Sequence, residues 1–139
     1  MASVSLCMIV KDEEAVLARC LDSVKDLVEE IIIVDTGSVD LTKEIARGYT
    51  DKLYDFEWID DFSAARNFSF SKARGDFIMW LDADDVLSEK NRKSFVRLKE
   101  SILGNADVVM MKYETAFDEA GNPVFSYYRE RLLRRELNF

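Results

Sequence analysis

Apolar residues fall into short blocks along the chain, and the spacing within each block identifies the element it forms. Val4–Val10 is a nearly continuous apolar run with β-branched residues and no helical period, which predicts a buried strand. After Lys11-Asp12-Glu13-Glu14, the residues Val16, Leu17, Cys20, Leu21 and Val24 recur at the spacing of one helix face. The preceding acids are expected in the first turn, at the positive end of the helix dipole. Ile31–Val34 predicts a second buried strand, ended by Asp35-Thr36-Gly37-Ser38. A helix from about Leu41 to Arg47 follows, with Asp40 as its N-cap and Gly48 as its stop. Lys52–Trp58 predicts a third strand, Ser63–Arg74 a helix closed by Gly75, and Phe77–Leu81 a fourth strand running into Asp82-Ala83-Asp84-Asp85. Ser88 caps a longer helix with Phe95, Leu98, Ile102 and Leu103 on one face. Asp107–Tyr113 predicts a fifth strand, and a Gly121-Asn122-Pro123 turn leads to a sixth from Val124.

Strands alternating with helices imply βαβ units, hence an α/β fold with a mainly parallel sheet covered on both faces. The 139 residues suit a single domain spanning 1–139. With 48% hydrophobic residues, five Gly and one Pro, the chain is neither disordered nor collagen-like. Its apolar runs fall far short of the roughly 20 residues of a membrane span, and the N-terminus lacks a signal-peptide pattern. The expectation is a cytoplasmic domain with no transmembrane segment. Cys7 and Cys20 read as buried core thiols rather than a disulfide or metal pair. The absence of His excludes a His-based triad and most zinc sites. A net charge of −8 argues against nucleic acid as a partner, so an anionic ligand calls for a divalent cation to hold it. Arg129, Arg131, Arg134 and Arg135 cluster before an abrupt end at Phe139, which reads as a truncated chain. Their plainest role is a solvated strand face.

In an open α/β sheet, ligands bind beyond the carboxyl ends of the strands. Three acidic groups fall there: Asp12-Glu13-Glu14, Asp35 and Asp82-Ala83-Asp84-Asp85. Taken singly, the first is an ordinary helix start and the second an ordinary turn. The third differs. If Asp82 and Asp84 remain extended, alternation sets them on one side of the chain, able to share a cation. Carboxylate oxygens suit Mg²⁺ or Mn²⁺, and without a cation three acids in four residues repel one another. The competing reading is a solvated turn in which Asp85 helps start the next helix.

The succession Ser5-Leu-Cys-Met-Ile-Val-Lys-Asp-Glu-Glu14, Ile31-Ile-Ile-Val-Asp-Thr-Gly-Ser-Val-Asp40, Ala65-Arg-Asn67 and Gly75-Asp-Phe-Ile-Met-Trp-Leu-Asp-Ala-Asp-Asp85 resembles family-2 glycosyltransferases of the GT-A fold. The likeness is to the bacterial branch with lipopolysaccharide-core glucosyltransferases and tetratricopeptide-linked members, and it runs in order from Ser5 to Val86. It implies a Rossmann-like GT-A domain carrying the donor half of the enzyme, with the acceptor-side half beyond this chain. By position, Val10, Lys11, Asp12 and Glu13 would line the base and ribose of a nucleotide diphosphate sugar. Asp35 would contact the base or its surroundings, Gly37 and Ser38 would shape the loop, and Arg66 would lie near the nucleotide. Asp82, with Ala83 beside it, would face ribose and metal, and Asp84 of this Asp-x-Asp motif would ligate Mg²⁺ or Mn²⁺ at the diphosphate. Lys11 departs from the family pattern, which often has an aromatic residue there; Thr36 stands where many relatives carry a second Asp. The resemblance implies inversion at the anomeric carbon, a carboxylate base located after Phe139, and an acceptor (glycan, lipid or protein) that these residues leave open.

Rival readings lack matching motifs. A sugar-nucleotide pyrophosphorylase needs a Gly-rich basic loop where Lys11–Glu14 stands, and a dinucleotide-binding dehydrogenase needs G-x-G-x-x-G. A receiver-type phosphoacceptor domain needs an Asp after strand three and a Lys after strand five; Asp60, Asp61 and Lys112 keep it open. A fragment that binds nucleotide sugar without turning it over is the remaining alternative.

Overall fold

The computed structural model describes residues 3–101, 108–117 and 123–134, with side-chain surroundings through Arg97 and at Lys99. Its elements are β1 (Val4–Val10), α1 (Leu17–Val24), β2 (Glu30–Asp35), α2 (Thr42–Arg47), β3 (Leu53–Asp55), α3 (Phe62–Ser71), β4 (Phe77–Trp80), α4 (Glu89–Ser101), β5 (Val108–Phe117) and β6 (Pro123–Arg134). The predicted positions of Ile102, Leu103, Asp107, the Gly121-Asn122 turn and Arg135 lie outside the described residues, as does the side chain of Leu98.

Six strands form one sheet in the order β3-β2-β1-β4-β6-β5. The first four run parallel: Met8 pairs with Ile33, Leu6 with Met79, and Val34 with Tyr54. β6 enters between β4 and β5 and runs antiparallel to both, with Phe77 opposite Arg134 and Met79 opposite Leu132. An all-parallel receiver-type sheet in the order 2-1-3-4-5 is therefore not the arrangement found. Because β6 is antiparallel, its residues before Arg131, Arg129 among them, continue past the carboxyl end of β4.

Strand alternation divides the core between the two faces. Val4, Leu6, Met8 and Val10 point to one face with Ile33, Phe77 and Met79, beneath Leu17, Cys20, Leu21 and Val24 of α1, Ala46 of α2 and Phe95 of α4. Cys7, Ile32 and Ile78 point to the other, under Phe70 of α3 and Ala73. Both thiols are buried and unlinked, on opposite faces. Among the described residues no helix is long and apolar enough to cross a membrane.

Several boundaries differ from the sequence reading for local reasons. The acids before α1 lie outside its first turn, because residues 11–16 form a bend and turn that ends with Val16 and Leu17 donating to the Glu13 carbonyl (3.1 and 3.0 Å). Asp40 works one residue ahead of the assigned cap, its Oδ1 accepting the Thr42 N–H (2.9 Å) and hydroxyl. β3 stops at Asp55, so Trp58 falls in the loop to α3. That helix begins earlier, at Phe62, where Asp61 Oδ1 accepts the Ala64 N–H (3.2 Å). It also ends earlier, at Ser71, so Gly75 is not its stop. Gly75 instead lies against β1, where a Cβ would sit 2.8 Å from Ser5 Oγ and 2.9 Å from Ser5 N. Ser88 caps α4 as predicted, accepting from Asn91 N (3.3 Å).

Candidate functional site

The carboxyl edge of the parallel strands carries three turns, and each gathers acidic groups in its own way. β4 ends at Trp80, and the chain turns immediately: the Asp85 N–H donates to the Asp82 carbonyl (3.0 Å) and the Asp82 N–H to Asp85 Oδ2 (2.9 Å). Asp82 and Asp84 are thus brought together by a turn, not by the extended alternation inferred from sequence. Ala83 between them is buried in the core and pins the turn. One carboxylate oxygen from each of Asp82, Asp84 and Asp85 lies within 4.8 Å of the others, with Asp84 exposed and Asp82 half-buried. Arg19 Nη2 donates to the Asp84 carbonyl (3.4 Å).

Glu13, from the β1–α1 connection, faces the same cluster. Burial, then the charges of Asp84, Asp82, Asp40 and Asp12, raises its carboxyl pKa above the ordinary value. Carboxylates held this close resist joint ionisation, and a hard divalent cation relieves the repulsion. The all-oxygen donor set fits Mg²⁺ or Mn²⁺ and does not suit soft-metal chemistry.

The turns after β1 and β2 are stitched to each other. Asp12, at φ 52°, donates its N–H to Ser38 Oγ (2.9 Å), while its Oδ1 accepts the Val39 N–H (2.8 Å). Glu13 N donates to Thr42 Oγ1 (2.8 Å), and Leu41 N donates to Glu14 Oε2 (3.0 Å). Below this seam, buried Asp35 accepts the N–H groups of Gly37 (2.9 Å) and Ser38 (2.8 Å) on Oδ1. Gly37 sits at φ 121°, which only glycine adopts readily. The second oxygen of Asp35, Oδ2, is buried and has no hydrogen-bond partner among the described residues. Such an orphaned acceptor calls for a donor from elsewhere.

Between these turns opens a cleft of about 450 Å³, lined by Ile9, Val10, Lys11, Glu13, Thr36, Trp58, Phe62, Asp82, Ala83 and Asp84. Six of these (Val10, Lys11, Glu13, Asp82, Ala83 and Asp84) are residues that the sequence singled out. Asp12, Gly37 and Ser38 are in the stitched turns and do not line it, and Asp35 lies beneath. Arg66 sits beside the cleft, its guanidinium stacked between the rings of Phe62 (4.7 Å) and Trp80 (4.2 Å). Trp80 is thereby packed against α3, whereas Phe62 is 46% exposed. Ile9 had no sequence signal beyond its place in β1. The sequence reading sets Trp58 at the end of a longer third strand and Phe62 ahead of a helix from Ser63, and assigns neither to the nucleotide; β3 stops at Asp55 and α3 starts at Phe62. A second cavity of about 310 Å³, between α2 and β3 at Lys43, Arg47 and Asp55, contains none of the predicted residues.

Residues 5–138 match the family model described as glycosyl transferase family 2. A TPR repeat-containing protein of Synechococcus elongatus is 58% identical over 87 residues, 63% of this chain and 22% of that protein. The SPbeta prophage-derived glycosyltransferase SunS of Bacillus subtilis is 36% identical over 93 residues, 66% of this chain and 22% of its own length. The chain thus spans about a fifth of these two relatives. Among solved structures, glucosyl-3-phosphoglycerate synthase of Mycobacterium tuberculosis, in complex with Mn²⁺ and uridine-diphosphate-glucose, superposes with a TM-score of 0.65 at 18% identity. That match covers 98% of this chain and 57% of the synthase, and it establishes the shared GT-A fold.

Proposed function

The chain belongs to glycosyl transferase family 2, and from that premise we propose that its cleft is the donor site of a metal-dependent, inverting sugar transfer from a nucleotide diphosphate sugar. The observation that carries this reading is the convergence of the Asp82, Asp84 and Asp85 carboxylates at one edge of a cleft that Asp82 and Asp84 line and whose wall at Thr36 adjoins buried Asp35. Two chemically different ends suit a ligand with a polyanionic middle and a hydrogen-bonding heterocycle. The neighbouring fold that holds Mn²⁺ and uridine-diphosphate-glucose supports the same class of ligand.

In this reading Asp84 and Asp82 hold Mg²⁺ or Mn²⁺, and Asp85 braces the turn by accepting the Asp82 N–H. A cation held there would supply Lewis acidity toward the diphosphate. Asp35 Oδ2 accepts an N–H or O–H from the base or its surroundings, held in place by the two N–H groups on Oδ1. Val10, Lys11 and Glu13 form the wall for base and ribose, and Asp12, Gly37 and Ser38 act indirectly by fixing the two turns. Arg66, clamped by Phe62 and Trp80, brings a positive charge near the nucleotide. The acceptor hydroxyl attacks the anomeric carbon from the face opposite the departing nucleoside diphosphate, which takes the bonding electron pair; its proton passes to a base that we assign to none of the described residues.

Calorimetric titration of UDP, GDP, CDP and ADP, with and without Mn²⁺, tests the proposal on the parent chain and on Asp84→Ala. The expected result is binding of one nucleotide that depends on Mn²⁺ and is lost in the variant. Binding that ignores both the metal and the substitution, or no binding by the folded parent, would overturn it.

A further inference from the structure

We infer that Trp58 is the residue against which this cleft stacks the nucleobase of a nucleoside diphosphate. The inference rests on the donor-site reading above and adds to it the group that grips the base. Three observations converge on Trp58. Its indole is 41% exposed yet lines the cleft beside Thr36. It is also held: Nε1–H donates to Asp60 Oδ1 at 3.0 Å, and Asp60 occupies the left-handed region at φ 57°. An aspartate adopts that region readily in a turn, so the loop holds the carboxylate where it can brace the indole. Because that brace uses the only polar atom of the ring, what the ring offers a ligand is its apolar π face.

The other exposed aromatic residue of the cleft is already engaged, since the ring of Phe62 carries the Arg66 guanidinium. Among the described residues, Trp58 has no ring or cation partner. Lys11, at the end of β1, brings an ammonium to the cleft wall and no π face.

Sheet order separates the base end from the phosphate end. The acidic turn follows β4, while Trp58 follows β3, three strands away in the order β3-β2-β1-β4. Strand spacing makes that about 14 Å across the sheet edge. The Trp58 loop is tied to the base end, because Phe56 N donates to the Asp35 carbonyl (2.9 Å). With the diphosphate at Asp82–Asp85, the planar part of the ligand beyond the ribose is the part that reaches the Thr36 wall and the indole.

The test is calorimetry with Mn²⁺ on the parent chain, Trp58→Leu and Trp58→Phe, using the four nucleoside diphosphates, inorganic pyrophosphate and the matching nucleotide sugar. Trp58→Leu is expected to weaken the preferred nucleoside diphosphate by about 5- to 150-fold, the range of base–aromatic stacking. Trp58→Phe should retain most of the affinity, and pyrophosphate should bind all three proteins alike. Equal nucleotide affinity in parent and Trp58→Leu overturns the stacking role while leaving the donor site intact. So does a loss confined to the nucleotide sugar, which would place the indole on the sugar, or a matching loss for pyrophosphate. If the parent binds no nucleotide, the donor-site reading falls and this inference with it. Circular-dichroism melts of the parent and both variants confirm that the affinities compared are those of folded proteins.

Discussion

Replacing Gly75 with Ala adds one methyl group where the α3–β4 connection crosses the start of β1. An ideal Cβ there meets Ser5 Oγ at 2.8 Å, Ser5 N at 2.9 Å and the Val4 carbonyl carbon at 3.1 Å. Carbon atoms are in ordinary contact at about 3.5–4.0 Å, so the methyl overlaps β1 backbone by roughly half an ångström. Ser5 cannot simply turn aside, because its Oγ accepts the Gly75 N–H (2.8 Å) and donates to Glu30 Oε1 (2.6 Å). Nor can β1 slide, since it pairs with β2 on one side and β4 on the other. Overpacking of this kind costs about 1–3 kcal/mol, and the lower unfolded-state entropy of Ala returns about 0.4–1 kcal/mol. The expected net loss is about 1–2 kcal/mol, or a melting temperature lower by about 4–8 °C for a chain of this size. Urea denaturation should show a lower midpoint with an unchanged slope. Gly48→Ala is the control: its backbone is helical at φ −70° and its Cβ would meet only the Ile45 carbonyl oxygen, at 3.3 Å. It should be neutral or stabilising by up to about 1 kcal/mol. Adding Ser5→Ala to Gly75→Ala should not rescue stability, because the Ser5 N and Val4 contacts remain. A Gly75→Ala protein that melts with the parent would refute the claim that this crossing requires glycine.

Burial, the largest cause for both thiols, pushes Cys7 and Cys20 up to about 12, with nearby carboxylates adding to the effect. Neither should react with a thiol reagent at pH 8 in the native protein, and both should react in urea; rapid native labelling would contradict the packing described. Burial alone would raise the Glu30 carboxyl, but bonds from Lys52, Ser5 and the Arg74 N–H outweigh it and hold the pKa below the ordinary 4.5. A depressed carboxylate contributes stability above its unfolded pKa, and loses it as pH falls through the folded value. Glu30→Gln should therefore melt lower than the parent at pH 7, with the gap closing below about pH 4; a gap independent of pH would refute that network.

Much of this protein was legible from sequence because its signals are local. The apolar runs of β1, β2 and β4 and the one-face spacing of Leu17, Cys20, Leu21 and Val24 follow from backbone periodicity alone. So does the placing of Asp35 and Asp82–Asp85 at strand ends. The ordered motifs carried the family, which the match over residues 5–138 supports. What sequence could not give depends on residues far apart along the chain. Periodicity identifies β6 as a strand but is blind to its direction and neighbours, and its antiparallel entry between β4 and β5 is a choice of pairing. Gly75 looks like a helix stop until β1 lies against it, 70 residues away. Asp12 reads as a wall of the nucleotide site and Ser38 as a residue that shapes its loop, and only the fold shows Asp12 bonding across 26 and 27 residues, to Ser38 and Val39, to join the two turns. Asp82 and Asp84 were grouped correctly for an incorrect reason: a turn, pinned by buried Ala83, brings their carboxylates together. The orphaned oxygen of Asp35 and the open face of Trp58 exist only once the sheet has stacked its carboxyl ends side by side. Burial and the lack of a partner are properties of everything that surrounds an atom, and a sequence states only what the atom is bonded to.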